Sequence, residues 1–336
     1  AVGSSDGSNY DSISSNEEII SSQEDESMGS QPHSVSSNGG TMSSADSPKE
    51  DNVPKEDNEA PKPVPPPDIP DKTSSKGVWW WTINDAISAE RRTKYLDFLQ
   101  QNKVTEIYLH AHGMSNSQIG TFISEALSRK MRVAFLLGDY SWIIAENKGF
   151  GEMVKFFNDY QRSAKEGQRF YSMHIDVEPH QHPEFSQDKN KIMQLFADFV
   201  IRQAAPAAKN SGTLLEWDIP FWMDEFTVKD ENNRSINLTE LMAKTCDTIT
   251  IMSYRDTANQ MYQVSKEEIM YSKKHGCKIV LGAETYSVEG DSVSYMEEGK
   301  LEMNNQLSVL KNRLIGETDN FGIAVHHLNS WYDLKN

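Results

Sequence analysis

Eight short runs of apolar, β-branched or aromatic residues recur between residues 77 and 336, and stretches of helical periodicity separate them. The runs are Gly77–Thr82, Glu106–Ala111, Arg132–Leu137, Ser172–Val177, Leu214–Ile219, Thr248–Tyr254, Lys278–Ala283 and Gly322–His327. Between them lie amphipathic stretches such as Arg91–Gln101, Gln118–Arg129, Gly151–Ala164, Lys189–Ala205, Leu238–Lys244, Lys266–His275 and Lys300–Leu314. Strand and helix in alternation call for a parallel sheet, because each helix returns the chain to the starting edge of the next strand. Eight such units close on themselves, so the spacing predicts a (β/α)8 TIM barrel over residues 77–336, α/β in class. Its 260 residues suit a fold for which about 250 is typical. An open doubly wound sheet would want a glycine-rich phosphate loop after the first strand. Trp79-Trp80-Trp81-Thr82-Ile83-Asn84-Asp85 contains no glycine.

Residues 1–76 are of another kind. Residues 1–72 carry 15 acidic and 4 basic side chains, which is −11 of the total charge of −17, and Tyr10 is their only aromatic residue. So little apolar surface cannot offset the entropy of ordering, and residues 1–76 are expected to form a disordered, acidic Ser/Pro-rich stalk. Pro61-Lys62-Pro63-Val64-Pro65-Pro66-Pro67 reads as a stiff spacer within it. Such a leader resembles the stalk of an exported protein. The expected location is therefore extracellular or tethered at the cell surface, with the stalk associating with the cell envelope. The remaining charge of −6 over residues 73–336 supplies no basic patch, so nucleic acid is not an expected partner. No run of 18 apolar residues is present to span a membrane. Cys246 and Cys277 open consecutive strands and are expected to be buried thiols, because disulfide geometry is strict. Asn237-Leu238-Thr239 is a glycosylation sequon.

In a parallel barrel the C-terminal ends of the strands face one cleft. Those ends carry Trp81 and Asn84, His110 and His112, Asp139 and Trp142, then Asp176, Glu178 and His180. Glu216 and Asp218 follow, then Tyr254, Arg255 and Asp256, Glu284 and Tyr286, and finally His326, His327 and Trp331. Aromatic rings interleaved with carboxylates and imidazoles are what a carbohydrate cleft requires, since sugar rings present both apolar faces and hydroxyls. Glu178 and Glu284 come from the fourth and seventh strands. Two carboxyl groups about 5–5.5 Å apart can cleave a glycosidic bond with retention, one attacking the anomeric carbon while the other protonates the leaving oxygen. The acid must keep its proton, which the apolar flank of Val177 and Pro179 or the charge of the other glutamate would favour. The expected substrate contacts are Trp81, His110, Asp139, Trp142, Asp176, His180, Asp218, Trp222, Arg255, His327 and Trp331. Of these, Trp81, Trp142, Trp222 and Trp331 are expected platforms for sugar rings. His110 with His112, and His326 with His327, would suit a metal-dependent hydrolase of the amidohydrolase type. That type wants His-x-His on the first strand, where this chain has Trp79-Trp80-Trp81, so neither a metal nor another cofactor is expected.

Val177-Glu178-Pro179-His180 resembles the Asn-Glu-Pro element of clan A glycoside hydrolases, whose Glu is the acid/base at the end of the fourth strand. Gly282-Ala283-Glu284-Thr285 resembles the seventh-strand element of that clan, whose Glu is the nucleophile. Glycoside hydrolase family 5, the endoglucanase-like group, is the nearest comparison. The resemblance implies that Tyr254 matches the sixth-strand Tyr that orients the nucleophile, and that Trp331 corresponds to an eighth-strand sugar platform. The Asn that precedes the acid/base in the clan is Val177 here. A second resemblance uses the same segment: His174-Ile175-Asp176-Val177-Glu178 is similar to the end of the Asp-x-x-Asp-x-Asp-x-Glu signature of family 18 chitinases, with His174 in place of an Asp. Met252-Ser253-Tyr254 resembles that family's Met-x-Tyr. It implies that Glu178 is the acid, that Asp176 and Tyr254 hold the substrate's own N-acetyl group as nucleophile, and that Glu284 has no catalytic part. Arg169, Phe170 and Tyr171 do not supply the rest of that signature. The expectation from the sequence is a retaining, endo-acting β-glycanase whose partner is a β-1,4-linked polysaccharide, either a cellulose-like glucan or an exopolysaccharide. The alternatives are a chitinase-like hydrolase and a non-catalytic polysaccharide-binding barrel.

Overall fold

The structure, a computed structural model, describes residues 75–144, 147–288 and 292–336. Its ten strands are β1 (Ser75–Trp80), β2 (Glu106–His110), β3 (Arg132–Leu137), β4 (Ser172–Ile175), β5 (Leu214–Pro220), β6 (Thr227–Lys229), β7 (Ser235–Asn237), β8 (Thr248–Met252), β9 (Lys278–Glu284) and β10 (Phe321–His326). Eight of them close into an all-parallel barrel in the order β1-β2-β3-β4-β5-β8-β9-β10, while β6 and β7 pair as an antiparallel hairpin outside it. Each of the eight expected strands is present with bounds within two residues. The TIM barrel read from the alternation is therefore the fold.

The boundary with the stalk is corrected. Nearly all of the stalk lies outside the described residues, but Ser75 and Lys76 belong to the barrel, pairing with Gly322 and Ile323 of β10. The Lys76 amide also donates to Thr105 Oγ1 at 3.0 Å. Gly77 is paired within β1, and it is a glycine because the Tyr108 ring lies where a Cβ would go.

Along each strand the side chains alternate between the helix layer and the lumen. Val78, Trp80, Ile107, Leu109, Val133, Phe135, Ile175, Trp217, Ile251 and Leu281 face outward into the main core. Helices cover that layer with matching stripes. The helix Asn116–Ser128 opens on a capping box between Ser115 and Gln118 and buries Ile119, Phe122, Ile123 and Ala126, the 3–4 spacing of one helical face. The single helix expected over Lys189–Ala205 is instead Lys189–Phe199, a π turn at Val200–Ala204 and a short helix Ala205–Asn210. The π turn ends two residues before Pro206, which has no N–H to donate.

The lumen is unusual for this architecture, whose barrels are mostly filled by branched apolar side chains. At its base Glu106 pairs with Arg132 and, at 2.6 Å, with Lys278. Burial opposes the Glu106 charge, but the two cations outweigh it and hold its pKa at about 2. Among the described residues a small apolar cluster of Trp79, Tyr108, Ala134, Leu136, Tyr171, Val280 and Ala324 shares the interior.

Candidate active site

The period of two that defines a strand places His174, Asp176 and Glu178 on one face, stacked up the barrel axis from β4 into the loop that follows it. His174 is fully buried. Its Nδ1 lies 3.0 Å from Glu216 Oε2 and its Nε2 2.7 Å from Asp218 Oδ1. The other oxygens of these carboxylates accept from Tyr171 OH and, at 2.8 Å, from Trp79 Nε1. The Tyr108 ring stacks on the imidazole at 3.8 Å and 17°. Burial alone would push the His174 pKa down, but Asp218 and Glu216 overcome it and lift it to about 10.

One step higher, Asp176 has an oxygen, Oδ1, that is buried with no hydrogen-bond partner. Burial first, and then the charges of Asp218 and Glu178, raise its proton affinity well above that of an ordinary carboxyl, against the pull of His326 and His174. Glu178 opens to the mouth with 16% of its side chain exposed, 3.5 Å from His180 Nε2, and accepts from Gln181. The β4 end therefore delivers two carboxyl groups, one in the floor and one at the surface.

Glu284 ends β9, three places from β4 around the ring. It is 3% exposed. Its Oε1 accepts the amides of Thr285 and Tyr286, each at 2.7 Å, and its Oε2 meets His326 Nδ1 at 2.8 Å. Burial disfavours the charge, but His326 and the two amides prevail and hold the carboxyl below its usual range. Trp81 Nε1 donates to His326 Nε2 at 3.3 Å, which fixes the tautomer with the proton on Nδ1, aimed at Glu284. The sequence expectation gave the orienting role to Tyr254, but the side chain bonded to Glu284 is His326. Tyr254 stacks on His326 at 5.9 Å. Burial, and after it Glu284, Asp218, Asp176 and Glu178, drive its phenol pKa well up, so the hydroxyl keeps its proton amid the four carboxyl groups.

Around the rim, Trp81 lies 6.0 Å from His110, whose Nδ1 is buried without a partner. Burial, then His112, lowers the His110 pKa. Trp222 packs edge-on to His180 at 5.3 Å, flanked by Phe185 and Phe226. Arg255 donates to the Tyr254 carbonyl at 2.7 Å and covers the Phe221 ring. His327 is tilted against Tyr286 at 6.0 Å, and burial, then His326, lowers its pKa to about 4.

Two expected contacts are corrected. Trp142 is 7% exposed and Trp331 fully buried, both in the helix-side core, so neither offers a ring face to a sugar. Each sits on a helical turn just past its strand, where the apolar side turns toward the helix layer. Asp139 is exposed and caps the turn Tyr140–Ile143, accepting from the amide and hydroxyl of Ser141 at 2.8 and 2.6 Å. Conversely, His174 and Trp79 were not among the expected cleft residues, and Glu216 and His326 were placed at strand ends but not among the expected catalytic residues or substrate contacts. The alternation His174-x-Asp176-x-Glu178 was the signal for the first of them. Cys246 and Cys277 are buried thiols, as expected. The sequon Asn237 is engaged at a helix start, accepting from the amides of Thr239 and Glu240 and donating to the Asp224 carbonyl at 2.6 Å. Among the described residues no three His, Cys, Asp or Glu side chains converge in a metal-binding arrangement.

No family model matches the chain, and no curated protein does. Among solved structures, it is similar to a GH39 enzyme from Xanthomonas axonopodis pv. citri, with 11% identity over 80% of this chain and 60% of the other, at a TM-score of 0.49. A GH113 β-1,4-mannanase shares 10% identity over 77% of this chain and 89% of the other, at a TM-score of 0.48. The GH18 chitinase ChiB of Flavobacterium johnsoniae shares 13% over 77% and 89%, at 0.45. Likeness at this level leaves the chemistry to be read from the side chains.

Proposed function

We propose that the barrel is a retaining glycoside hydrolase, with Glu284 as nucleophile and Glu178 as acid/base. The observation that carries this reading is the contrast between two carboxyl groups delivered to one mouth by β4 and β9. Glu284 receives three N–H donors, which keep it ionised and fixed, as an attacking carboxylate must be. Glu178 is the more open of the two, beside His180 and Gln181, where a leaving oxygen and later a water can reach it. Trp81, Trp222 and the exposed Tyr286 supply ring surfaces around them. A β-1,4-linked polysaccharide cut internally, a cellulose-like glucan or an exopolysaccharide, is the proposed substrate, acted on outside the cell or at its surface.

One observation favours a second reading. The partnerless oxygen of Asp176, next to Glu178 and close to the Tyr254 phenol, suits an arrangement in which Asp176 and Tyr254 hold an N-acetyl group of the substrate while Glu178 protonates. Reducing-end release from carboxymethylcellulose, mixed-linkage glucan, mannan and glycol chitin separates the two. Under the first reading Glu178→Gln and Glu284→Gln each lower turnover by about a thousandfold or more. Release that survives Glu284→Gln, is confined to glycol chitin and is lost in Asp176→Asn transfers the case to the second. Binding without release by the wild type would leave a polysaccharide-binding barrel.

A further inference from the structure

We infer that His174 is a positioning residue of this site, bridging Glu216 and Asp218 so that Asp218 is fixed beside Asp176. The catalytic consequence rests on the hydrolase reading above, whereas the chemistry of the bridge does not. In the β4–β5 register His174 lies opposite Glu216 and Ile175 opposite Trp217. The next step sets Asp176 beside Asp218, on strands about 4.8 Å apart, both side chains turned into the lumen. Each ring nitrogen of His174 meets a different carboxylate, at 3.0 and 2.7 Å. Two N–H donors on one imidazole require the imidazolium. Asp218 is thereby held at both oxygens, by His174 and by Trp79, and its charge has a buried counter-ion.

Asp176 has the opposite surroundings, with one oxygen partnerless and a fixed carboxylate as neighbour. Two adjacent carboxyl groups do not readily both ionise. Asp218 has the cation and the indole, so the proton resides on Asp176, which then presents an O–H donor to the substrate space. The groups facing His174 are Trp79 of β1, Tyr108 of β2, Tyr171 ahead of β4, Asp176 above it, and Glu216 and Asp218 of β5. The cations Arg132 and Lys278 lie below, committed to Glu106. His326 packs edge-on to Trp79 at 5.4 Å.

The test uses the full chain with 15N-labelled histidine. Both ring nitrogens of His174 are expected to stay protonated from about pH 5 to 9, where an ordinary imidazole loses its proton near 6.5. Glu216→Gln keeps the shape, removes one counter-charge, and should lower the pH at which His174 titrates. On a cleaved polymer, His174→Gln should reduce kcat about a hundredfold, change KM by less than about threefold, and displace the pH profile toward higher pH. A His174 that titrates between about pH 6 and 7 overturns the inference, as does His174→Gln with unaltered kcat and pH profile. A wild-type chain that cuts no polymer sinks the hydrolase reading alone, because the nitrogen signals are read without substrate.

Discussion

Glu268 is a fully buried carboxyl with no hydrogen-bond partner on either oxygen. Burial first, then the nearby charges of Asp224 and Glu267, raise its pKa to about 8. Because the folded-state value exceeds that of an unfolded glutamate, near 4.5, Glu268 costs stability as pH rises from about 4.5 to 8. His174 has the same sign for a different reason. Its pKa of about 10 contributes stability in full below about 6.5, and that contribution is lost as pH rises through 10. Denaturant melts should therefore show stability falling from pH 5 to 10 in two stages. Glu268→Gln should remove the lower one and stabilise the protein at pH 8.5 by about 1–3 kcal/mol, with little effect at pH 5. An equal effect at both pH values would mean that Glu268 is not the group responsible.

At the scale of elements, the β3–β4 contact sets how far Asp176 and Glu178 reach into the mouth. Gly138 follows β3, and a Cβ there would overlap the Asp176 carbonyl, while the Asp176 amide donates to Leu137 at 2.9 Å. Gly138→Ala should push the β4 end outward, costing about 3 kcal/mol or more and lowering turnover beyond what the stability loss explains. A crystal structure of the variant with Asp176 unmoved would refute this. The eight strands were legible because each is a local run with a hydrophobic pattern, which a window of ten residues contains in full. The acidic ends Glu178 and Glu284 were legible for the same reason. His326 was placed at a strand end but not paired with Glu284, because its partners Trp81 and Glu284 are 245 and 42 residues away in sequence and meet only when the ring closes. Trp142 and Trp331 misled because a residue just past a strand can turn to the helix layer as readily as to the cleft, and composition does not say which. The hairpin of β6 and β7 was passed over, three residues a strand being too short for a periodic signal.

For the whole molecule, the boundary at Ser75 has a direct test. Lys76 pairs in the barrel and its ammonium lies 4.6 Å from the Trp331 ring, where burial, then Lys103, brings its pKa to about 8. A chain of residues 75–336 should melt within about 1 °C of the full-length protein. One of residues 77–336 should melt several degrees lower, having lost the first rungs between β1 and β10. Equal melting of the two would mean that Ser75 and Lys76 add nothing to the closure. The wired lumen also bears on how the proposed hydrolase can be retargeted. Glu106, Arg132, Lys278, Tyr171, Glu216, His174, Asp218 and Trp79 each use a neighbour's donor or acceptor. Replacing any one strands a charge or a dipole where water cannot reach it. Laboratory evolution that accepts one substitution at a time should therefore leave the axis untouched and accumulate its successes in the rim, around Trp222, Arg255 and Tyr286, where a misfit is solvated rather than trapped.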